Sequence, residues 1–246
     1  MKSNIMRKLI FFESIPSTND YAKNNFDKLQ NKTIIIAKEQ TAGRGRFSRK
    51  WYSPAEKSLY MSLVLKENIW RVELPIFNLI SSLSVLKTIK SLTNLSPILK
   101  YPNDVYINKK KVAGILIETI FKLNTLEGII IGIGVNINNE NFPQELERKA
   151  TSIFLETGKE LDHLFFLKKF LEIFFNCLNK RINNQTIIEE WQRYSPSLFN
   201  TPIIITVDGK PMKAITNGLN DNGYLLVKKN DGNQIIISTN DYFFPE

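Results

Sequence analysis

The segment Thr41-Ala42-Gly43-Arg44-Gly45-Arg46-Phe47-Ser48-Arg49-Lys50-Trp51 gathers three Arg, one Lys and two Gly with no hydrophobic period. Guanidinium groups fork onto carboxylate or phosphate oxygens, and glycine lets a ligand come close to the backbone. A solvated basic turn is the plain alternative. A loop running from Gln40 to Trp51 is long for a compact domain, however, and Trp51 at its end can stack on or close over a planar group, which favours ligand capture. Lys100-Tyr101-Pro102-Asn103-Asp104 is a second dense segment, with a cation, an amide and a carboxylate where Pro102 forces a turn. Such a set can hold phosphate and Mg2+, because that ion takes one or two carboxylates together with phosphate oxygens. Equally, Asp104 can cap backbone in an Asx-type turn, and the residues alone leave both readings open. Lys111, ahead of Val112-Ala113-Gly114, is similar: an edge Lys commonly snorkels to solvent, while Gly114 inside a strand marks a close approach by backbone or ligand.

Other chemistries are excluded by what is scarce. The chain has one His, His163, and one Cys, Cys177, so no cluster of zinc ligands can be drawn. Both lie in Leu161 to Leu178, whose apolar residues recur at helical spacing, where they fit a helix's buried face better than a nucleophilic engine. Neither glycine-rich run is a dinucleotide fingerprint, since Ser48 and Ile137 occupy the third glycine positions, and no Walker A pattern occurs. A lone Cys forms no internal disulfide, no signal peptide is visible over Met1 to Ile10, and the apolar stretch Gly128 to Val135 is too short to span a bilayer. The expectation is a cytoplasmic protein with no membrane partner. The net charge of +9, from 33 Lys and Arg against 24 Asp and Glu, raises the alternative of a basic nucleic-acid-binding protein. The C-terminal segment does not support it: Lys210, Lys213, Lys228 and Lys229 stand beside Asp208, Asp221, Asp231, Asp241 and Glu246, which is no phosphate track.

The elements that must position these residues are legible in outline. Ser17-Thr18-Asn19-Asp20 after Pro16 reads as an N-cap with a carboxylate three residues on, starting a helix to about Leu29. Thr33 to Lys38 and Leu59 to Leu65 read as strands, and Pro75 to Leu92 as a helix with Pro in its first turn. Ile98 to Tyr101, Val105 to Ile107, Val112 to Glu118 and Glu127 to Asn136 are strands joined by short polar turns, so neighbours pair as hairpins. Helices follow over Leu161 to Arg181 and Thr186 to Tyr194, ended by Ser195-Pro196-Ser197. Beyond Phe199, the strands Ile203 to Val207, Lys213 to Thr216, Tyr224 to Lys228 and Gln234 to Ser238 are joined by Asp208-Gly209, Asn222-Gly223 and Asp231-Gly232. The expected fold is α+β: a mixed or antiparallel sheet with flanking helices over residues 1–198 and a small β-barrel over 199–246.

Ser17-Thr18-Asn19, Gln40 to Arg46 with Trp51, Lys100 to Asp104, Lys111 to Glu118 and Gly132-Ile133-Gly134-Val135-Asn136 occur in the order found in biotin protein ligases. The chain resembles that family from about residue 8 to 140, and its C-terminal barrel looks like theirs. The resemblance implies a class II biotin/lipoate ligase-like catalytic domain followed by an SH3-like barrel. It implies two steps: biotin and MgATP give biotinyl-5′-AMP and pyrophosphate, then a lysine of a biotin carboxyl carrier protein takes the biotin and AMP leaves. By similarity, Ser17, Thr18, Asn19, Gln40, Gly43 and Gly114 bind biotin, with Arg44, Gly45 and Arg46 folding over it. Arg44, Arg49, Trp51, Lys100, Asn103 and Asn136 fall on the nucleotide side. Lys111, Arg46 and Asp104 are the implied catalytic set, Lys111 reaching the biotin carboxylate and phosphoryl oxygens and Asp104 holding Mg2+.

The inventory suits this chemistry, because joining two anions calls for Arg, Lys and Mg2+ and for no His or Cys nucleophile. Two departures stand out: Tyr101 replaces the family's usual Trp, and Ser48 stands where many members have Gly, which stiffens the loop. With about ten residues ahead of the catalytic segment there is no room for a helix-turn-helix, so a ligase without DNA as partner is expected. A lipoate or octanoate ligase or transferase of the same fold is the nearest alternative. Strand edges around Lys109 to Glu118 would allow a homodimer.

Overall fold

The apolar runs Ile34-Ile35-Ile36 and Ile129-Ile130-Ile131 do not alternate with polar residues, as a strand covered on one face would require. The structure, a computed structural model that describes residues 8–66, 73–179, 184–207, 210–229, 231–237 and 242–243, gives the reason. Ile34, Ile36, Ile129, Ile131 and Ile133 point into a large buried cluster shared with the long helices, while Ile35 and Ile130 point into a smaller one beneath Ala22, Phe26 and Leu29. Both faces of the sheet are therefore covered.

That sheet has seven strands in the order β1-β2-β3-β7-β6-β5-β4. They are β1 (Leu9–Ile15), β2 (Ile34–Gln40), β3 (Ser58–Leu65), β4 (Ile98–Lys100), β5 (Asp104–Ile107), β6 (Lys110–Lys122) and β7 (Thr125–Asn136). Only β1 and β2 run parallel, so the sheet is mixed, as expected. The β5–β6 and β6–β7 hairpins turn through Asn108-Lys109 (φ 48° and 65°) and Leu123-Asn124 (φ 46° and 66°), the left-handed pairs that match strand twist.

On one side lies the short helix α1 (Thr18–Asn24), capped by Ser17, whose Oγ accepts from the Asp20 amide at 3.3 Å. On the other lie α2 (Leu74–Leu92), α4 (His163–Asn179) and α5 (Asn184–Arg193); α3 (Ile153–Thr157) is a single short turn of helix. Helix α2 is buried nearly all round, and its Ser81, Ser84 and Thr88 hydroxyls donate to carbonyls one turn back, so burial leaves them satisfied. Trp191 of α5 is fully buried against it, donating Nε1 to Ser82 Oγ at 2.9 Å and meeting Tyr101 edge-on.

The chain then forms β8 (Phe199–Val207), β9 (Lys210–Leu219), β10 (Leu225–Lys229), β11 (Gln234–Ile237) and β12 (Tyr242–Phe243), an antiparallel sheet ordered β11-β10-β9-β8-β12. Its inward residues Ile203, Ile205, Leu225 and Val227 belong to the same buried cluster as α2 and α5. Tyr101 Oη donates to the Gly223 carbonyl at 3.3 Å, which ties the Asn222-Gly223 turn to the segment before β5.

Several expectations need correcting. The first helix stops at Asn24, with a separate 3-10 turn at Phe26–Lys28 in place of a helix to Leu29. Strand β1 and helix α3 were not expected: β1 is a half-exposed edge strand and α3 is too short to show a period. Lys109 to Gly114 is not an open edge, because β5 covers β6 up to Gly114; beyond it, β6 pairs with β7 alone. The Asp208-Gly209 turn, the end of the helix at Arg181 and the strand end at Ser238 lie outside the described residues. The two faces of α4 provide a test: Phe170→Ala, at 0% exposure, lowers stability by about 3–5 kcal/mol in denaturant unfolding, whereas Phe165→Ala, at 55%, changes it by less than about 0.5 kcal/mol.

Candidate active site

Side chains on a strand alternate, so the face of β7 that carries Ile130 also carries Gly132, Gly134 and Asn136. Across the sheet Gly132 is flanked by Ser62 and Leu116, and Gly134 by Tyr60 and Gly114. Three glycines therefore leave this face bare just where α1 ends its cover, and the result is a cavity of about 870 Å³. Asn19 comes down from α1 onto Gly132, and the Trp51 indole lies over Gly134 and Gly114. A Cβ on Gly134 would sit 2.5 Å from Trp51 Nε1, so the indole needs glycine there.

The closed end is polar and tightly bonded. Gln40 Oε1 accepts from the Thr18 amide at 2.9 Å and from Thr18 Oγ1 at 3.1 Å, and Gln40 Nε2 donates to Ser53 Oγ. Fully buried Ser62 places Oγ 2.8 Å from Thr18 Oγ1 and 2.5 Å from Asn19 Oδ1. Asn19 Nδ2 donates to Glu118 Oε2 at 2.8 Å. The rim of this end therefore offers both donors and acceptors.

The Gly/Arg loop arches over the middle. The Trp51 amide donates to the Gly43 carbonyl at 2.9 Å and the Gly45 amide to the Arg49 carbonyl at 2.7 Å, closing the arch at its root. Arg44 forms an ion pair with Asp20 and lies 3.4 Å from Glu118. The two carboxylates hold its guanidinium charged, the Asp20 hydrogen bond most strongly. Arg46 Nη1 reaches Asn103 Oδ1 at 3.4 Å, while Arg49 and Lys50 are exposed. Phe47 and Ser48 at the tip adopt φ of 55° and 57°, which explains physically why glycine suits position 48.

The far wall is built on β5 and β6. Lys111 Nζ pairs with Asp104 Oδ1 at 2.6 Å and lies 5.2 Å from the Trp51 ring centre. Its backbone is clamped as well: the Lys111 amide donates to the Lys149 carbonyl and its carbonyl accepts from Thr151. Asn103 Nδ2 donates to the Ile115 carbonyl at 2.5 Å and Asn136 Nδ2 to the Thr151 carbonyl at 3.0 Å, so both amides also hold walls in place. Lys100 Nζ lies 5.3 Å from the Tyr106 ring, whose hydroxyl burial pushes up to about 12.

Every residue assigned to the site from the sequence lines this cavity except Gly43. Gly43 sits behind it, where a Cβ would stand 2.6 Å from Ser53 Oγ and 2.8 Å from the Trp51 carbonyl, so glycine there permits the arch. Sequence reasoning missed Tyr52, Phe142, Leu146 and Lys149, which close the outer end. Phe142 and Leu146 lie in a polar stretch without period, and Phe142-Pro143 was the one local signal. Seven cationic side chains and one carboxylate line the cavity, a balance that suits an anionic ligand. Among the described residues no three His, Cys, Asp or Glu gather around a metal position.

The Biotin/lipoate A/B protein ligase family matches residues 11–136. The chain belongs to that family. The bifunctional ligase/repressor BirA of Bacillus subtilis is 31% identical over 97% of this chain and 75% of its own length. A biotin--[acetyl-CoA-carboxylase] ligase of Paracoccus denitrificans is 28% identical over 92% of this chain and 97% of its own. The structure of the biotin protein ligase from Aquifex aeolicus in complex with biotin and ATP superposes with a TM-score of 0.83 at 28% identity, over 96% of this chain and 97% of that one. The family match spans α1, the loop and β2 to β7, which carry every residue assigned to the site.

The glycine floor makes a specific demand. Gly134→Ala overpacks the Trp51 indole and costs about 1–3 kcal/mol in denaturant unfolding. In a Trp51→Ala background most of that cost disappears, and equal costs in both backgrounds would show that the indole is not what the glycine accommodates.

Proposed function

We propose that this chain is an ATP-dependent biotin protein ligase, joining biotin to a lysine of a biotin carboxyl carrier protein by way of biotinyl-5′-AMP. The observation that carries it is one continuous cavity with two unlike ends. One end sets Ser17, Thr18, Asn19 and Gln40 around a space lined by donors and acceptors, with buried Ser62 bonded behind Thr18 and Asn19, which suits a ureido ring with two N–H groups and a carbonyl. A dithiolane or an alkyl chain, as in lipoate or octanoate, brings no N–H or carbonyl to exchange hydrogen bonds with this polar end, which disfavours binding. The cationic end, walled by Trp51, Tyr52 and Phe142, suits a nucleotide, the aromatic rings facing the base and the lysines the phosphates.

In the first step a biotin carboxylate oxygen attacks the α-phosphorus of ATP, the acyl phosphate bond forms, and pyrophosphate leaves. Lys111 and Arg46 stand where the two anions meet and offset their repulsion. Asp104 holds Lys111 in place through the 2.6 Å pair. In the second step the carrier lysine amine attacks the acyl carbon, AMP leaves, and the proton of the amine passes to solvent.

With a single carboxylate, already paired to Lys111, the donor set fits Mg2+ arriving on the triphosphate, with Asp104 as its protein ligand, better than an ion caged by protein alone. Bound there, the metal would neutralise phosphate charge. Residues 1–198 form the catalytic part in this reading and 199–246 an appended barrel that braces Tyr101. The carrier domain is the macromolecular partner in this reading, and the stretch of β6 from Leu116 to Lys122, paired on one side only, supports self-association by edge pairing. No helix among the described residues is long and apolar enough to cross a membrane, which fits a cytoplasmic reaction drawing on ATP.

The purified chain therefore catalyses ATP–pyrophosphate exchange that depends on biotin, and Lys111→Ala lowers its rate about 10²–10³-fold with the fold retained by circular dichroism. Exchange supported by lipoate or octanoate but not by biotin would overturn the assignment.

A further inference from the structure

Glu118 does not line the cavity, yet its carboxylate joins the head-group end to the Gly/Arg loop. It stands on β6 opposite Ile130, one row beyond Gly132 and Leu116. Oε2 accepts from Asn19 Nδ2 at 2.8 Å, and Arg44 Nη2 lies 3.4 Å from each carboxylate oxygen while pairing with Asp20 on its other side. A carboxylate can only accept, so Glu118, at the shorter distance and with the Leu116 carbonyl 3.4 Å away beside it, sets which way round the Asn19 amide sits. Nδ2 turns to Glu118, and Oδ1 turns to Ser62 Oγ at 2.5 Å, above Gly132. From Ser62 the polar chain continues through Thr18 to Gln40.

A pair that only added stability would be poorly placed here. The Arg44 side chain is 35% exposed, and ion pairs open to solvent contribute little to folding. The Asn19 amide, by contrast, is buried, and its orientation matters to whatever binds beside it. We propose that Glu118 is a positioning residue for biotin ligation: it fixes the Asn19 amide at the head-group end and, through Arg44, anchors the root of the loop that covers the adenylate. The inference rests on the ligase reading above.

The test is a cycle of biotin-dependent exchange measured on wild type, Glu118→Gln, Asn19→Ala and the double variant. Glutamine keeps the volume but presents only one oxygen and adds an N–H donor, so it cannot accept from Asn19 and Arg44 as the carboxylate does. Glu118→Gln should raise the KM for biotin about tenfold, the worth of one charge-assisted hydrogen bond, and speed release of biotinyl-adenylate, with the KM for ATP unchanged. In the Asn19→Ala background it should have no further effect on the KM for biotin. An active wild type with an unchanged biotin KM in Glu118→Gln, or fully additive effects in the double variant, overturns the proposal alone. A wild type without biotin-dependent exchange overturns the functional reading and this inference with it. If Glu118→Gln does not fold, Arg44→Ala reads the same link from the solvent side: faster release of biotinyl-adenylate is expected, and unchanged release overturns the role.

Discussion

Where Gly114, Gly132 and Gly134 meet across β6 and β7, the central sheet carries no side chains on one face, and the site is assembled over that gap. A sheet packed on both faces ordinarily has no room for a ligand, because side chains fill the layer between sheet and helix. Removing three of them opens the layer without weakening the backbone ladder, since β3, β7 and β6 stay fully paired through these positions. The gap is then divided by two large groups. Asn19 takes the row at Gly132 and Trp51 the row at Gly134, so the floor is polar at one end and aromatic at the other. The division of the cavity into a polar end and an aromatic end follows from which residue stands on which glycine.

The charges are arranged so that cations can wait for anions without collapsing onto carboxylates. Lys111 pairs with Asp104 at 2.6 Å, but both side chains remain partly open, at 28% and 21% exposure, where such a pair contributes at most about 1 kcal/mol. A phosphoryl group, with more charge and more acceptors, can therefore displace the carboxylate cheaply. Arg44 is a different case, held between Asp20 and Glu118 and better suited to fixing the loop than to following a ligand. The two arginines of the Gly-Arg-Gly-Arg run thus differ in setting, Arg44 tied to carboxylates at the root and Arg46 reaching across the cavity to Asn103.

Strong local signals made much of this legible in the sequence. The N-cap at Ser17, the helical period of α2, the hairpin turns and the break before Phe199 each depend on residues adjacent in the chain, and each reappears in the fold within a few residues. The residues assigned to the site within those motifs were legible for the same reason, and all of them but Gly43 line one cavity. What escaped depends on contacts distant in sequence. Strand β1 owes its conformation to β2, with which it pairs in parallel, and its own residues lack a turn to frame it. Glu118 and Ser62 look like ordinary strand residues until cross-strand register brings them beside Asn19, 99 and 43 residues away. Phe142 and Leu146 come from a stretch whose path is set by backbone bonds to Lys111 and by the Asn136 amide, not by any period of its own.

The loop is not held by its backbone alone. Phe47 and Ser48 both lie in the left-handed region, at φ 55° and 57°, which costs about 1–2 kcal/mol for each residue with a Cβ. Against this stand the Gly45–Arg49 and Gly43–Trp51 backbone bonds, each contributing about 1 kcal/mol net. The backbone bonds do not outweigh that cost by themselves, so the arch depends on the side-chain anchors at Arg44 and Arg46. An anion that engages Arg46 acts on one of these anchors, and it can shift the arch only by the difference in its affinity for the two arrangements. A glycine at position 48 would remove part of the cost and favour the closed form even without ligand. With serine there, closure depends more on what is bound, which is the useful arrangement for a cover that must admit two substrates and then keep water from their product.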